Sequence, residues 1–376
     1  MPWKEKTVMT QKLEMVLMAC QEGANISAIA RAFGVERSVV YRWRRQYQKG
    51  GEEGLREASR RPSLSPTRTN KELEQAIVAV RDQHHWGARK IARHLQDRGV
   101  AELHTSTVHS VLQRHGKIDP EASAAHTPFI RFEHEKPNDL WQMDFKGWFK
   151  TGAGRCHPLT ILDDHSRFSL CLAACADQTF STVQRELTRV FDRYGLPWRM
   201  TMDNGSPWGD EGGRGLTILT AWLVRLDVAV SHSRPFHPQT QGKDERFHRT
   251  LDEELLRWVT FSDLSHTQRH FDPWRDVYNC QRPHEALGMA APVTRYTPSP
   301  RRMPSELPPI TYGADDHVRK VDAFGYIAFQ GTKVRAGRAC VGLPVALRPT
   351  TTDGLWDLYF CHHHLRKVDL HAPNTP

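Results

Sequence analysis

Between Leu140 and Val259 the chain switches repeatedly between two apolar periods, and the order of those switches is its most constraining feature. Leu140–Phe149 alternates as a strand, with Leu140, Gln142, Asp144 and Lys146 on one face and Trp141, Met143 and Phe145 on the other. Cys156–Asp163 and Phe168–Ala174 read as two more strands, joined by the turn-rich residues 163–167. Ser181–Tyr194 carries Val183, Leu187, Val190 and Phe191 at helical spacing and stops at Gly195 and Pro197. Trp198–Met202 is a short strand ending at Asp203-Asn204-Gly205. Leu216–Leu226 is apolar almost all round, which predicts a buried helix. Val228–Ser231 is a strand, and Lys243–Val259 predicts a long helix with Phe247, Leu251, Leu255 and Trp258 turned inward.

Three strands, a helix, a strand, a helix, a strand and a helix is the order of an α/β ribonuclease H-like core, expected over 138–291. The chain reads as multidomain around it. Residues 1–50 and 71–117 are expected to be all-α helix-turn-helix modules, joined by linkers at 51–70 and 118–137. A Pro-rich linker at 292–311 leads to short strands over 312–372 with turns at Gly331, Gly337 and Asp353-Gly354, which predict a small β-barrel.

The first module carries the clearest binding signal. The 376 residues hold 52 Lys and Arg against 43 Asp and Glu, a net charge of +9. Residues 1–70 alone hold 13 bases and 7 acids, most of that excess. Such a balance favours a polyanion, nucleic acid before membrane, because no basic amphipathic anchor stands out. Residues 10–48 read as three helices. The first, Gln11–Glu22, has Leu13, Val16, Leu17 and Cys20 on one stripe; the second follows a cap at Asn25 or Ser27. After the break at Gly34, a third helix runs from Glu36 to Gln48. It turns Val39, Val40, Trp43 and Tyr47 inward and Arg37, Ser38, Tyr41, Arg42 and Arg45 outward. That layout makes those five residues the expected contacts with double-stranded DNA. Arg60 and Arg61 fit either an arm in a minor groove or a plain solvated linker. The second module, with helices over Glu72–His84, Ala88–Arg98 and Thr105–His115, is similar in layout but nearly neutral.

Seven cysteines, an odd number without CxxC spacing, read as reduced core thiols of a cytosolic protein. No apolar run is long enough to span a bilayer, and no apolar signal segment is visible at the N-terminus.

Three carboxylates sit where such a core would gather them. Asp144 is in mid-strand, Asp203 ends a strand at a turn, and Glu245 opens the last helix after a Pro- and Gly-rich loop. On a helical wheel Glu245 lies about 200° from Phe247, facing away from the helix's own core. Carboxylates within about 4 Å of one another repel by roughly 4 kcal/mol per pair at an effective dielectric of 20, so the arrangement calls for cations between them. All-oxygen ligands point to Mg²⁺ or Mn²⁺, and two such ions would stabilise attacking and leaving oxygens in a displacement at phosphorus. Asp163 and Asp164 read as turn formers, and Asp210 and Glu211 as solvated loop residues. Cys361-His362-His363-His364 lacks the spacing of a zinc site. Trp141, Trp148, Trp222 and Trp258 read as core, and Tyr278 to His284 as packing at the end of the catalytic domain, with Arg282 a candidate phosphate contact.

The segments LWQMDF, LTILDDHSRF, TMDNGSPW, HSRPFHPQTQGKDERFHRTL and YNCQRPHEALGMAAP resemble the integrase-core (DDE) transposases of bacterial insertion sequences, akin to retroviral integrase. The resemblance covers roughly residues 130–300 closely. It implies that Asp144, Asp203 and Glu245 are the catalytic metal ligands, in that order, for two Mg²⁺ or Mn²⁺ ions. It further implies end cleavage releasing a 3′-OH and direct joining of that hydroxyl to target DNA. A homo-oligomer on DNA, in a bacterial cytoplasm and at the nucleoid when bound, is expected. The spacing from Asp203 to Glu245, 42 residues, is longer than common in that family. Many relatives also carry a base two turns after the Glu, where this chain has Asp252; Arg249, Lys243 and Arg246 are expected to grip DNA instead. A silent helix-turn-helix regulator and a ribonuclease H-type nuclease that cuts without joining are the alternatives.

Overall fold

A computed structural model describes residues 7–57, 68–118, 133–203, 205, 207–209, 215–232 and 242–371. Met1–Arg68 and Thr69–Pro376 are two compact units. In the first, α1 (Val8–Ala19), α2 (Ile26–Ala32) and α3 (Arg37–Gly50) pack around Val16, Ala30, Val40 and Trp43. Asn25 is the cap of α2, its side chain accepting from the Ala28 N–H at 3.1 Å. Leu17 and Cys20, expected on the inner stripe of α1, face outward, while Met15 and Ala19 are buried. Leu55, from the segment read as linker, closes this core in a 3₁₀ turn.

The second unit begins with α4 (Lys71–His84), α5 (Ala88–Asp97) and α6 (Thr105–Arg114), packed on Ile77, Trp86, Ile91 and Val111. The α/β core follows, with β1 (Trp141–Phe145), β2 (Phe149–Thr151), β3 (Gly154–Asp163), β4 (Ser169–Cys175), α7 (Phe180–Tyr194), β5 (Arg199–Met202), α8 (Ile218–Arg225), β6 (Ala229–His232) and α9 (Gly242–Leu251). A π turn over Asp252–Leu256 leads on to α10 (Leu264–Cys280). In the sheet β4 pairs β3, β3 pairs β1, β1 pairs β5 and β5 pairs β6; β2 is a hairpin on β3. β1, β5 and β6 are parallel, while β3 runs antiparallel to both of its long neighbours. This is the ribonuclease H-like arrangement that the element order predicts.

Alternation along the strands divides the apolar residues between two faces. Trp141, Met143 and Ile161 meet Leu187 and Phe191 of α7 and Leu219 and Leu223 of α8. Leu162 and Leu172 meet Phe247 and Leu251 of α9 and Phe271 of α10. Gln142 and Asp144, one residue out of phase with Trp141 and Met143, therefore share the α9 side. α9 is shorter than the predicted long helix. The π turn adds residues per turn and shifts the phase, so Trp258 leaves the apolar stripe: it is exposed and stacks on His85 at 4.0 Å. Trp148 is also exposed, under the Arg155 guanidinium, whereas Trp141 and Trp222 are core.

The C-terminal strands are β7 (His317–Lys320), β8 (Tyr326–Phe329), β9 (Thr332–Arg335), β10 (Pro344–Pro349), β11 (Leu355–Phe360) and β12 (His363–Asp369). They do not close into the predicted barrel. The order β12-β11-β10-β7 makes an open sheet, and β8–β9 is a separate hairpin paired only with itself. The apolar face of Val345, Leu347, Leu358 and Phe360 is covered by Ala221 and Val224 of α8 and by Ile327 and Phe329 of the hairpin. A helix does what closure would have done. Among the described residues no helix is long and apolar enough to cross a membrane.

Candidate active site

The sheet register brings two of the three carboxylates together. Gln142 of β1 stands opposite Thr201 of β5 in a parallel ladder. Asp144 lies two residues beyond Gln142 and Asp203 two beyond Thr201, so the ladder leads both carboxylates to the same end of the sheet. α9 lies over this face through Phe247, and Glu245, two residues earlier, is exposed as the wheel requires. Burial, then the negative charges of Asp203 and Glu245, push the Asp144 carboxyl up to about 7. All three groups thus act on one region.

Asp203 is held in place. Its Oδ1 accepts from the Gly205 N–H at 2.9 Å and from the Trp208 indole N–H. Trp208 is buried and stacks on Phe145, ring centroids 5.3 Å apart. His232 Nδ1 donates to the Asp203 carbonyl at 2.9 Å. Beside Asp144, His248 Nε2 lies 2.8 Å from the Thr160 hydroxyl, and its Nδ1 lies 4.0 Å from Asp144 Oδ2. Burial, then Lys146, holds the His248 pKa down to about 3, so the ring is neutral at pH 7. Asp244 is buried, and among the described residues neither carboxylate oxygen has a hydrogen-bond partner; burial, then Asp144, raises its pKa well above the usual carboxylate range. Trp208, Thr160 and His248 were not singled out from sequence. Their signals were that Trp208, Thr160 and His248 fall in TMDNGSPW, LTILDDHSRF and HSRPFHPQTQGKDERFHRTL, and that His248 follows Glu245 by one helical turn.

Other expected residues lie as follows. Arg37, Ser38, Tyr41, Arg42 and Arg45 are all exposed on α3, opposite Val40 and Trp43. Arg246 and Arg249 are exposed on α9. Lys243 is not: it turns inward, its ammonium on the Asp164 carboxylate and 3.2 Å from the Asp164 carbonyl, which withdraws it from the set expected on DNA. Asp252 pairs with Lys146 at 2.9 Å, so a base reaches this area from β1's end rather than from the helix. Arg282 is no phosphate contact; it is buried against Glu254. Asp163 and Asp164 are structural, the former capping the turn at Ser166 and the latter also accepting from Gln142. His362 and His364 pair with Asp227 and Asp357. Arg60, Arg61, Asp210 and Glu211 lie outside the described residues.

The donor chemistry of Asp144, Asp203 and Glu245 fits a hard divalent cation. All three offer only carboxylate oxygen, and among the described residues no Lys or Arg pairs with any of them. The Asp144 pKa is raised first by burial and then by the charges of Asp203 and Glu245, and a cation would offset both. The cage is not ready-made: among the described residues no three His, Cys, Asp or Glu side chains could hold a metal as they stand.

Family models for the integrase core domain match residues 134–238 and 226–292. A helix-turn-helix model matches 11–63, a homeodomain-like model 39–112, and the IS481 family transposase C-terminal domain 316–376. An uncharacterized 31.7 kDa protein of insertion element IS407 from Burkholderia multivorans is 26% identical over 156 residues, 42% of this chain and 54% of that protein. An uncharacterized 39.2 kDa protein of IS476 from Xanthomonas euvesicatoria is 28% identical over 157 residues, covering 42% and 44%. The transposase for transposon Tn552 of Staphylococcus aureus is 23% identical over 338 residues, covering 76% of this chain and 66% of that protein. The chain spans about half the length of the two insertion-element relatives. Core, flanking modules and relatives agree: the chain carries integrase core domains and an IS481 family transposase C-terminal domain, and it is similar to insertion-element proteins and to a transposase.

Proposed function

We propose that this chain is a DNA transposase that binds the terminal inverted repeats of a mobile element, cleaves its ends and joins the freed 3′-OH to target DNA. The observation that carries the reading is the convergence on Asp144: Asp203 on the adjacent parallel strand and Glu245 on α9 both raise its pKa. Asp144, Asp203 and Glu245 would hold two Mg²⁺ or Mn²⁺ ions, which supply charge neutralisation at the attacking and leaving oxygens of phosphodiester displacement. Gly205 and Trp208 fix the Asp203 carboxylate, so that its orientation is set before DNA arrives. Arg246 and Arg249 flank Glu245 on the exposed side of α9 and take phosphates. Arg37, Ser38, Tyr41, Arg42 and Arg45 read the element ends, aided by Arg60 and Arg61.

In this reading 1–50 and 71–117 bind DNA, 138–291 cuts and joins, and 312–372 supports the core. Segments 51–70, 118–137 and 292–311 connect them. Two ends must be held together, so the working species is a homo-oligomer on duplex DNA, at the nucleoid of a bacterial cytoplasm. A mobility assay in cells tests this, with the gene's flanking DNA on a donor plasmid and wild type beside Asp144→Asn, Asp203→Asn and Glu245→Gln. New junctions from wild type alone support it. Nicks without junctions would make the protein a nuclease, and end binding with identical phenotypes for all four would make it a regulator.

A further inference from the structure

Thr160 stands where the strand bearing Asp144 meets the helix bearing Glu245. It lies in β3 directly opposite Asp144 and is fully buried. Its hydroxyl hydrogen goes to the Asp144 carbonyl at 3.0 Å. A hydroxyl has one hydrogen, so towards His248 Nε2, at 2.8 Å, Thr160 is the acceptor and the ring donates. That puts the ring proton on Nε2 and leaves Nδ1 as an acceptor turned towards Asp144. His248 follows Glu245 by three residues, so the two share one side of α9 a turn apart.

We propose that His248 is a positioning residue which, through Thr160, fixes α9 against β1 and so sets Glu245 relative to Asp144. The proposal rests on the reading of Asp144, Asp203 and Glu245 as the metal-holding set. The β1–β5 ladder runs up to Gln142 and Thr201, two residues before Asp144 and Asp203, and so ties the strand ends that carry them. No ladder reaches Glu245; its helix is seated by the apolar contacts of Phe247 and Leu251 and tied by polar contacts on either side of Glu245, Lys243 on Asp164 and His248 on Thr160. Apolar contacts are non-directional and tolerate sliding, whereas a buried hydrogen bond fixes one register. Shifts of about 1 Å at a reacting site are known to matter greatly, so one such bond at the sheet–helix joint has leverage.

The test is Mn²⁺ binding to the full chain by titration calorimetry, with thermal melting of each variant as a folding control. His248→Phe fills the ring's volume without a donor, Thr160→Val is isosteric without a hydroxyl, and His248→Gln keeps a nitrogen donor within reach of Thr160. His248→Phe and Thr160→Val should each weaken Mn²⁺ binding at least about five-fold, the double variant no more than the worse single one, because both break the His248–Thr160 bond and Thr160→Val alone also loses the bond to the Asp144 carbonyl. His248→Gln should stay within about two-fold of wild type. Wild-type affinity in folded Thr160→Val or His248→Phe overturns the inference, as does full additivity in the double variant. Should His248→Phe fail to fold, Thr160→Val and His248→Gln decide it alone. Asp144→Asn runs beside them: if it binds Mn²⁺ like wild type, the metal-site reading fails instead.

Discussion

Arg282 Nη2 lies 2.8 Å from Glu254 Oε1, and both side chains are only 8% exposed. Glu254 belongs to the π turn after α9, and Lys90 of α5 approaches the same oxygen at 3.9 Å. One buried carboxylate thus joins the α4–α6 module to the catalytic core. His85 on Trp258 and Arg98 on Gln281 add to the same joint. Glu254→Ala would strand two cations. It should destabilise the second unit by about 3–5 kcal/mol, measured by urea unfolding. Glu254→Leu with Arg282→Met should cost less than Glu254→Ala alone, because the buried guanidinium leaves with its partner and only the Lys90 ammonium stays behind.

Asp144 makes the opposite prediction. Its carboxyl titrates near 7 in the folded chain and near the ordinary 3.8 when unfolded. Between those values the folded state holds the extra proton, so this group costs stability as pH rises from about 4 to 7. Without divalent ions, Asp144→Asn should therefore melt higher than wild type at pH 8, and the advantage should vanish at pH 4. Equal melting temperatures at pH 8 would mean that Asp144 is not under that strain.

Buried histidines set the acid limit. Burial, then His94, lowers the His84 pKa to about 4, and burial also holds His284 well below its ordinary 6.5. The unfolded chain takes up these protons first, so the contribution of these two histidines to stability should fall as pH drops below about 6.5 and keep falling towards 4. His284→Gln should flatten that slope in urea midpoints measured at pH 7, 6 and 5.

The exposed face of α3 predicts a split in DNA binding. Arg42→Ala and Arg45→Ala should each weaken binding to an element end by about 1–3 kcal/mol, and binding to random duplex by less, if they read bases. Equal losses on both DNAs, by gel shift at fixed salt, would assign them to phosphates.

One helix also guards the outer edge of the sheet. Asn279 pairs with both backbone groups of Ser169, and Gln268 bonds the Ala174 N–H and the Leu172 carbonyl. Such an edge left bare is a template for strand addition. Gln268→Ala with Asn279→Ala should leave those groups open and raise aggregation on heating, followed by light scattering.

Much of this was legible in the sequence, for a physical reason. Strand and helix periods are local, so the order of elements, the strand face shared by Gln142 and Asp144 and the outward face of Glu245 follow from short windows. Contacts across long separations do not. Thr160 and His248 are 88 residues apart, and no periodicity links them. Trp258 was misplaced because a wheel of fixed pitch was carried through a π turn. The barrel was misjudged because turn spacing shows where strands end, not which ones pair. Lys243 looked like a DNA contact until the Asp164 turn, far back in the chain, was found to hold it.

α8 shows what that last kind of contact implies. Leu219 and Leu223 belong to the sheet's core, and Ala221 and Val224 to the core of the C-terminal strands. The helix is apolar all round because it serves as the wall between two rooms. A domain of this kind cannot be swapped between mobile elements like a bead on a string. Recombination between residues 292 and 311 would hand a new C-terminal sheet a wall cut for the old one, so the two must change together over evolutionary time.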